Sequence, residues 1–275
     1  KITNNNLTFT ECDVTFNWSP SDADLVGNPN NYILGKLNSS VWTLPVVSAR
    51  TATSLSVLDL NSFSEFQIGE PLATTPAAAL NFDGINDQVV INNAGIDLTN
   101  KSFTVEMWLK RNSANTYDVA FSQGTAGADN QLLHMGFSND NEFIFNFFGG
   151  PNDLEIPITN DANWHHWACT FDNTAKTRKV YRDGVLIGQA TIPTSTFTGN
   201  GSFSTIGVTS AYPGDEFDGS IDELRIWTRT LSASEVLNNF NCEISSQPGL
   251  AAAYHFNQGF EGANNAAENT LTDAT

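Results

Sequence analysis

The sequence predicts an all-β protein in which a two-sheet antiparallel jelly-roll sandwich follows a smaller β-sandwich. Short runs that alternate apolar and polar residues recur along the chain, and Gly, Asn, Asp and Pro separate them at roughly ten-residue intervals. Stretches with helical periodicity are almost absent. Hydrophobic residues make up 40% of the 275 positions and aromatic residues 11%, so the chain can bury a large core.

Residues 1–72 carry the smaller sandwich, of the immunoglobulin or fibronectin kind. Its strands are predicted in the runs LTFTECDVTFNW, NYILGKL, SVWTLP, SLSVLDL and SFSEFQIGE. These runs are few, so the sandwich is either incomplete or completed by residues outside this sequence. Pro71 and Pro76 then interrupt the alternation, which predicts a linker over residues 73–78.

Residues 79–275 are predicted to form the jelly roll. Strand-like runs follow one another from ALNFDG to GLAAAYHF, and we expect the domain to be truncated at its C-terminus because no closing strand follows. Asp183 and Gly184 lie between two alternating runs, as a type I′ hairpin turn requires. Ser232 and Glu235 have capping-box spacing, so one short helix is expected there, closing one end of the sandwich.

Buried residues are predicted from the alternation within these strands. Trp108, Trp167 and Trp227 stand among apolar residues and are expected in the sandwich core. Cys169 alternates into an apolar face, which is typical of a small buried hydrophobe. The chain has only 3 cysteines, widely separated, which is too few for a disulfide framework or a zinc site.

The composition excludes several classes of function. Asp and Glu number 30 against 12 Lys and Arg, and the net charge of −18 opposes binding to nucleic acid or to an anionic membrane. No apolar run is long enough for membrane insertion, and residues 1–10 lack the apolar core of a signal peptide. Only 15% of residues are charged, which is typical of an extracellular or cell-surface β-protein.

No catalytic residue is predicted. The sequence contains no GxSxG elbow, P-loop, HExxH or GxGxxG motif. Glycosidases need two carboxylates that face one cleft, whereas Glu216 and Asp218 stand among turn-forming residues. His165 and His166 are adjacent in a strand and therefore point to opposite faces. The isolated His134 and His255 lie in apolar strands, where a structural histidine is the ordinary interpretation.

Several segments together resemble the laminin G-like jelly-roll domains of the concanavalin A-like lectin/glucanase superfamily, in the bacterial form related to pentraxins. They are AALNFDGINDQVVI, FTVEMWLK, WHHWACTFDNTAKTRKVYRDGVLIG, and FDGSIDELRIWTRTLSASEV followed by GLAAAYHFNQG. The match in order and spacing covers about residues 77–260. The resemblance implies a jelly roll and a role in binding.

Residues 12–70 resemble the small β-sandwich segments that precede laminin G-like domains in surface and secreted proteins of Bacteroidetes-type bacteria, and the Asn-rich style of the chain is similar to the same group. This resemblance implies export by the type 9 secretion route, display at the cell surface or release, and further domains of the same polypeptide. The sequence is accordingly interpreted as a fragment of a larger protein.

Aspartates at strand ends suggest a cation site. Many relatives in the resembled superfamily bind Ca²⁺, and carboxylates from several loops suit that ion, so the candidate ligands are Asp83, Asp87, Asp218 and Asp222. Strand alternation places Asp222 on the apolar side, where a carboxylate needs amides, an arginine or a cation. The alternative is that these acids only hold turns, at Asp83-Gly84 and Asp218-Gly219.

The leading functional hypothesis is a non-catalytic, carbohydrate-binding module of an adhesin, with calcium dependence as an added expectation. An exposed aromatic ring stacks on a sugar and polar groups bind its hydroxyls, so the candidate ligand-binding residues are Tyr212, Asp215, Tyr117 and Phe148. The partner is then a glycan or an extracellular protein. One alternative is a structural or protein-interaction spacer. A glycan-active enzyme is the third, with Glu106, Asp118, Glu142 and Glu155 as the carboxylates to compare.

Overall fold

The computed structural model describes residues 9–19, 29, 32–38, 41–69, 79–91, 96–149, 153–199, 203–209, 214–240, 242–244, 246–258 and 270–275. The chain divides into two compact units. The first comprises residues 1–74 and 232–242, and the second comprises residues 75–231 and 243–275. The helical stretch, which the sequence analysis assigned to the jelly roll, is therefore part of the first unit.

The first unit contains two antiparallel sheets of three strands. Their order is β1-β5-β4 and β3-β2-β6. The strands are β1 (Cys12–Asn17), β2 (Ile33–Asn38), β3 (Val41–Thr43), β4 (Val47–Thr51), β5 (Ser54–Leu60) and β6 (Glu65–Gly69). Both sheets contribute to one apolar core that includes Leu34, Val47 and Leu55.

The one helix of the described residues, α1 (Ala233–Asn239), also lies in this unit. The Ser232 side chain accepts the Glu235 amide, and the Glu235 side chain accepts the Ser232 amide, so the predicted capping box is confirmed. Arg50 donates from Nη2 to Oδ1 of the buried Asn238 at 2.5 Å. This bond joins the helix to the strand β4 that carries Arg50.

The second unit is a sandwich of a seven-stranded and a six-stranded antiparallel sheet. Its strands are β7 (Leu80–Asp83), β8 (Val89–Ile91), β9 (Phe103–Arg111), β10 (Asp118–Gly124), β11 (Leu132–Phe137), β12 (Glu142–Asn146), β13 (Glu155–Pro157), β14 (His165–Asp172), β15 (Thr177–Arg182), β16 (Val185–Thr191), β17 (Ser204–Ile206), β18 (Asp218–Trp227) and β19 (Leu250–Tyr254). The seven-stranded sheet has the order β16-β15-β14-β9-β18-β19, with β7 paired to β18, and the six-stranded sheet has the order β13-β12-β11-β10-β17-β8. The all-β prediction is confirmed.

Side chains from both sheets fill one apolar core. Phe103, Met107 and Phe171 contribute from the seven-stranded sheet, and Phe121 and Phe145 contribute from the six-stranded sheet. We call the side of each sheet that points into this core the core face and the other side the outer face.

Local predictions for the hairpin and for buried residues are largely confirmed. Asp183 and Gly184 have φ values of 52° and 77°, which is the left-handed pair of a type I′ turn. Cys169 is fully buried in the core. His166 is buried against the edge of Trp108, whereas His165 is half-buried and bonds to Asp183 at 2.6 Å.

Two of the three tryptophans are not in the sandwich core. Trp167 lies in it, but Trp108 and Trp227 are buried on the outer face of the seven-stranded sheet. Because Val105 and Met107 of β9 point into the core, the residues between and beyond them must point away. The prediction of burial was right for these residues, and the predicted face was wrong for Trp108 and Trp227.

Strand β18 departs from regular alternation through a β-bulge. Asp222 pairs with Trp108 and Arg225 pairs with Glu106, so two residues of β18 lie opposite one residue of β9. Asp222 is 3% exposed but shares the outer face with Trp108. The expectation that it faces the apolar core was wrong, because the bulge inverts the alternation that the sequence suggested.

Gly219 also differs from its prediction as a turn residue. It lies within β18, where a Cβ atom would be 2.2 Å from the carbonyl oxygen of Lys110. Glycine is therefore required by the close approach of β9. The Asp83-Gly84 turn is confirmed, since Gly84 has a φ of 71° and Asp83 Oδ1 accepts the Ile85 amide at 2.9 Å.

Candidate functional site

A row of mainly polar side chains crosses the outer face of the six-stranded sheet. Val90, Thr205, Ser122, His134 and Asn146 are consecutive direct partners across five strands. Directly paired residues point to the same side, and their neighbours in sequence fill the core face. The Ser122 and Thr205 hydroxyls lie 2.5 Å apart. The sheet thus presents a hydrogen-bonded surface away from the core.

A pocket of about 220 Å³ lies at this outer face. We call it the Tyr117 pocket, and its lining residues are Tyr117, Leu132, His134, Phe148, Thr209 and Asp215. Strand β11 supplies Leu132 and His134, because Leu133 and Met135 occupy the core face. The other residues come from segments that border the sheet. The pocket therefore combines a fixed strand surface with groups from three connecting segments.

His134 positions Tyr117. Its Nδ1 lies 3.4 Å from the Leu132 carbonyl oxygen, and its Nε2 lies 3.1 Å from the Tyr117 hydroxyl. A carbonyl only accepts, so Nδ1 donates to it and Nε2 accepts from the tyrosine. Burial lowers the pKa of His134 to about 4. The imidazole is consequently neutral at physiological pH and holds the phenol ring in place.

Phe148 has a left-handed backbone conformation with a φ of 57°. Such a conformation costs a bulky residue about 1–2 kcal/mol relative to the right-handed region. The Asn130 amide donates to the Phe148 carbonyl oxygen at 2.8 Å, and Gly149 follows with a φ of 101°. These contacts hold the aromatic ring at the pocket in an unfavourable backbone geometry. Strain of this kind is concentrated at binding sites.

Asp215 lies in the segment before β18 and supplies the carboxylate of the pocket. Its carbonyl oxygen accepts the Val119 amide at 3.0 Å, and its Oδ2 accepts the Thr209 hydroxyl at 3.3 Å. Burial, followed by the charge of Glu216, raises the pKa of Asp215 to about 6. The group is therefore an ionised acceptor at pH 7 and a neutral acid near pH 5.

Three predicted ligand-binding residues, Tyr117, Phe148 and Asp215, line this one pocket. Tyr212, the fourth, lies outside the described residues. Sequence reasoning missed the other lining residues, and for His134 a signal existed. In LLHMGF the histidine alternates with the apolar residues that enter the core, so it had to face outward.

The predicted calcium ligands do not form a single group. Asp83 and Asp218 are direct partners on β7 and β18, and Asp87 accepts the Asp83 amide at 3.0 Å. Asn112 and Ser113 both donate to the Asp218 carboxylate. Asp222 lies four residues further along β18, which is about 13 Å at roughly 3.3 Å per residue. One ion therefore cannot contact both Asp218 and Asp222.

Of the four carboxylates compared for catalysis, Glu106 and Asp118 have separate partners, and Glu142 and Glu155 lie together. Glu106 is buried and accepts from Trp227 at 3.0 Å, and Asp118 forms an ion pair with Arg111 at 2.6 Å. Glu142 and Glu155 interact on neighbouring strands, where burial and then the charge of Glu155 raise the pKa of Glu142. None of these four groups lines the Tyr117 pocket.

No helix in the described part of the chain has the length and apolar character needed to cross a bilayer.

Comparison with known proteins identifies a family and several relatives. A family model described as the concanavalin A-like lectin/glucanases superfamily matches residues 83–237, more than half of the chain. Neuronal pentraxin-1 of Rattus norvegicus is 27% identical over 163 residues, which cover 56% of this chain and 37% of the pentraxin. Neuronal pentraxin-2 of Mus musculus is 24% identical over 158 residues, 54% of this chain and 35% of the pentraxin. The chain spans well under half the length of these curated relatives.

Two solved structures share the fold. A Bacteroides ovatus protein, described as a candidate carbohydrate-binding protein, aligns with a TM-score of 0.56 and 15% identity over 97% of this chain and 85% of its own. The CBM40 of a Ruminococcus gnavus sialidase, solved with α2,3-sialyllactose, aligns with a TM-score of 0.52 and 17% identity over 59% of this chain and 96% of its own. At these identities the likeness concerns the fold alone.

Proposed function

The chain belongs to the concanavalin A-like lectin/glucanases superfamily, and on that premise we propose that its second unit is a non-catalytic module that binds neutral carbohydrate in the Tyr117 pocket. The observation that carries the proposal is the convergence there of two aromatic side chains, a carboxylate and a hydroxyl. Sugars present an apolar C–H face to aromatic rings and hydroxyls to polar groups. The pocket offers both kinds of contact.

The size of the pocket favours one terminal sugar unit. Its volume of about 220 Å³ is below the roughly 300–1,000 Å³ of pockets that enclose a drug-sized ligand. Tyr117 and Phe148 supply the apolar surface, Asp215 accepts hydroxyl hydrogens, and Thr209 can both donate and accept.

Charge favours a neutral sugar over an acidic one. The lining contains the carboxylate of Asp215 and no arginine or lysine among the described residues, while His134 is neutral. The net charge of −18 also repels anions. A sialoside carboxylate would therefore enter without a cationic partner. We propose that the ligand differs in this respect from the sialyllactose solved with the R. gnavus CBM40.

A Phe148→Gly variant is expected to separate binding from stability. Glycine adopts a positive φ without strain, and this relief offsets the lost packing of a partly exposed ring. Unfolding free energy should change by less than about 1 kcal/mol, whereas affinity for a neutral glycan should fall about tenfold, since a stacked ring contributes roughly 1.4 kcal/mol. A glycan array followed by isothermal titration measures the affinity.

The array should retain neutral glycans and not their sialylated forms. Val185→Ala on β16 is the control, because Val185 is exposed and does not line the pocket. Binding that is unchanged in Phe148→Gly, or a preference for sialylated glycans, would contradict the proposed site.

Calcium dependence through Asp83, Asp87 and Asp218 stays part of the proposal, and an array repeated with EGTA measures it.

Binding of the neutral glycan should weaken as pH falls through about 6. Asp215, with its pKa raised to about 6, is a stronger acceptor of hydroxyl hydrogens when ionised, because the charge strengthens the bond and protonation turns one oxygen into a donor. Affinity at pH 5 should therefore be roughly tenfold lower than at pH 7.5, since about one tenth of the carboxylate remains charged. In Asp215→Asn the affinity should be lower at pH 7.5 and nearly constant over this range. An equal pH dependence in both proteins would show that another group is responsible.

We place this module outside the cell, as part of an adhesin that carries further domains and leaves the cell by the type 9 route.

An interaction module for an extracellular protein is the second candidate. It is favoured by Val185, Leu186 and Ile187, which are 63%, 43% and 37% exposed on β16, at the edge of the seven-stranded sheet. An array that retains no glycan would favour this function over carbohydrate binding.

A further inference from the structure

We propose that Glu223, Glu243 and His255 form a binding site for a divalent transition metal ion of the Zn²⁺ type. The three residues come from the bulge of β18, from the segment that follows α1, and from the residue after β19. One donor atom from each lies within 4.8 Å of the other two. This site is independent of the Tyr117 pocket, with which it shares no residue.

The β-bulge places Glu223 in the cluster. Glu223 has a φ of 52°, and the register of β18 shifts between Asp222 and Arg225. A bulge redirects a side chain out of the regular alternation of its strand. His255 arrives beside it because β19 pairs with β18, with Tyr254 opposite Leu224. The sheet register therefore brings these two donors together.

Neighbouring groups hold the carboxylates in place. Glu223 Oε1 lies 2.8 Å from His255 Nδ1, and Glu223 Oε2 accepts from Arg225 Nη2 at 2.8 Å. Glu243 Oε1 accepts from Asn257 Nδ2 at 2.5 Å. Outer partners of this kind orient ligands in metal sites. Each glutamate thus has one oxygen fixed by a side chain outside the group of three.

The contact between Glu223 and His255 is close to that of two ligands on one ion. Donor atoms about 2.1 Å from Zn²⁺ in a tetrahedral arrangement lie roughly 3.4 Å apart. Separating the pair from 2.8 Å to that distance needs a small side-chain movement. The ion would use the Nδ1 lone pair, so the imidazole must carry its hydrogen on Nε2 when the metal is bound.

The local charge also favours a cation. Glu106, Glu223 and Glu243 supply three carboxylates, and Arg225 is shared between two of them, at 2.8 Å from Glu223 and 3.5 Å from Glu106. Glu106 and Glu223 are buried, whereas Glu243 is exposed. A buried excess of acid is stabilised by a divalent ion, and the exposed side gives it a route of entry. One imidazole with two carboxylates suits zinc-type ions better than calcium, which prefers more oxygen ligands.

Isothermal titration of the chelator-treated, tag-free chain with ZnCl₂ tests the proposal. We expect one Zn²⁺ per chain and a rise in the melting temperature on Zn²⁺ addition. His255→Ala should weaken binding by at least ~100-fold, which exceeds the usual effect of losing an outer partner. Glu243→Gln, which alters an exposed group and leaves the fold intact, should also weaken it at least ~10-fold.

His165→Ala is the matched control. His165 is another partly buried histidine that contacts two carboxylates, Asp161 and Asp183, but it is the first residue of β14 and shares no residue with the proposed site. Zn²⁺ binding should be unchanged in this variant. The proposal is overturned if no Zn²⁺ binds, if Glu243→Gln and His255→Ala bind as the wild type does, if His165→Ala alone loses binding, or if Ca²⁺ binds in preference to Zn²⁺.

Discussion

Replacing Trp167 with alanine is expected to lower the free energy of unfolding of the sandwich by about 3–5 kcal/mol. Trp167 is 2% exposed and stacks on Phe143 with ring centroids 3.9 Å apart and planes 4° from parallel. Phe137 packs edge-on against the same indole at 5.6 Å. Because Trp167 lies on β14 and both phenylalanines lie on the six-stranded sheet, the variant loses contacts between the two sheets.

Urea unfolding, monitored by circular dichroism, measures this loss of unfolding free energy. A thermal melt should show a fall of roughly 6–20 °C, at about 2–4 °C per kcal/mol for a domain of this size. Trp164→Ala is the control, because Trp164 is partly exposed in the segment before β14. A loss in Trp167→Ala that is no larger than the loss in Trp164→Ala would contradict this account of the core.

The second large effect is expected from Arg111→Met. Arg111 Nε lies 2.6 Å from Asp118 Oδ2, and both side chains are 2% exposed. Arg111 also donates to the Thr116 carbonyl oxygen at 2.6 Å. Removing the guanidinium leaves a buried carboxylate without its cation, which costs about 3–5 kcal/mol. Burial already raises the pKa of Asp118, and the variant would raise it further.

A double variant and a pH series test this interpretation. An acid with a raised folded-state pKa contributes stability that is present at low pH and is lost as pH rises through that pKa. Arg111→Met should therefore be closest to the wild type in acid and furthest from it at neutral pH. Arg111→Met combined with Asp118→Leu should recover most of the loss, because no unpaired charge remains. Equal losses in the single and double variants would show that packing, and not charge, dominates.

Much of the fold follows from local sequence patterns. The pair Asp183-Gly184 predicted a type I′ turn, because both turn positions need a left-handed backbone. Ser232 and Glu235 predicted the start of the helix, because they form its capping box. The bulge in β18 had no such signal, since its left-handed residue is a glutamate rather than a glycine. The face of Asp222 was therefore beyond prediction from alternation.

The sequence predicted those residues of the candidate site that stand in polar segments between strands, and it missed those that strand pairing brings together. Tyr117, Phe148 and Asp215 stand in polar segments between strands, where aromatic and acidic residues are natural binding candidates. Thr209 joins them only because β17 pairs with β10, a contact between segments far apart in the sequence. The donors Glu223 and His255 converge for the same reason, through the register of β18 and β19, and Glu243 joins them from the segment after α1.

The central claim is that neutral carbohydrate binds in the Tyr117 pocket. Titrating the ¹⁵N-labelled chain with a neutral oligosaccharide retained by the array, and mapping the amide chemical shifts, tests it most directly. The account predicts that the largest changes fall on Leu132, His134, Phe148, Thr209 and Asp215, and that they disappear in Phe148→Gly. Changes concentrated on β16 or on the first unit, with the pocket amides unmoved, would contradict it.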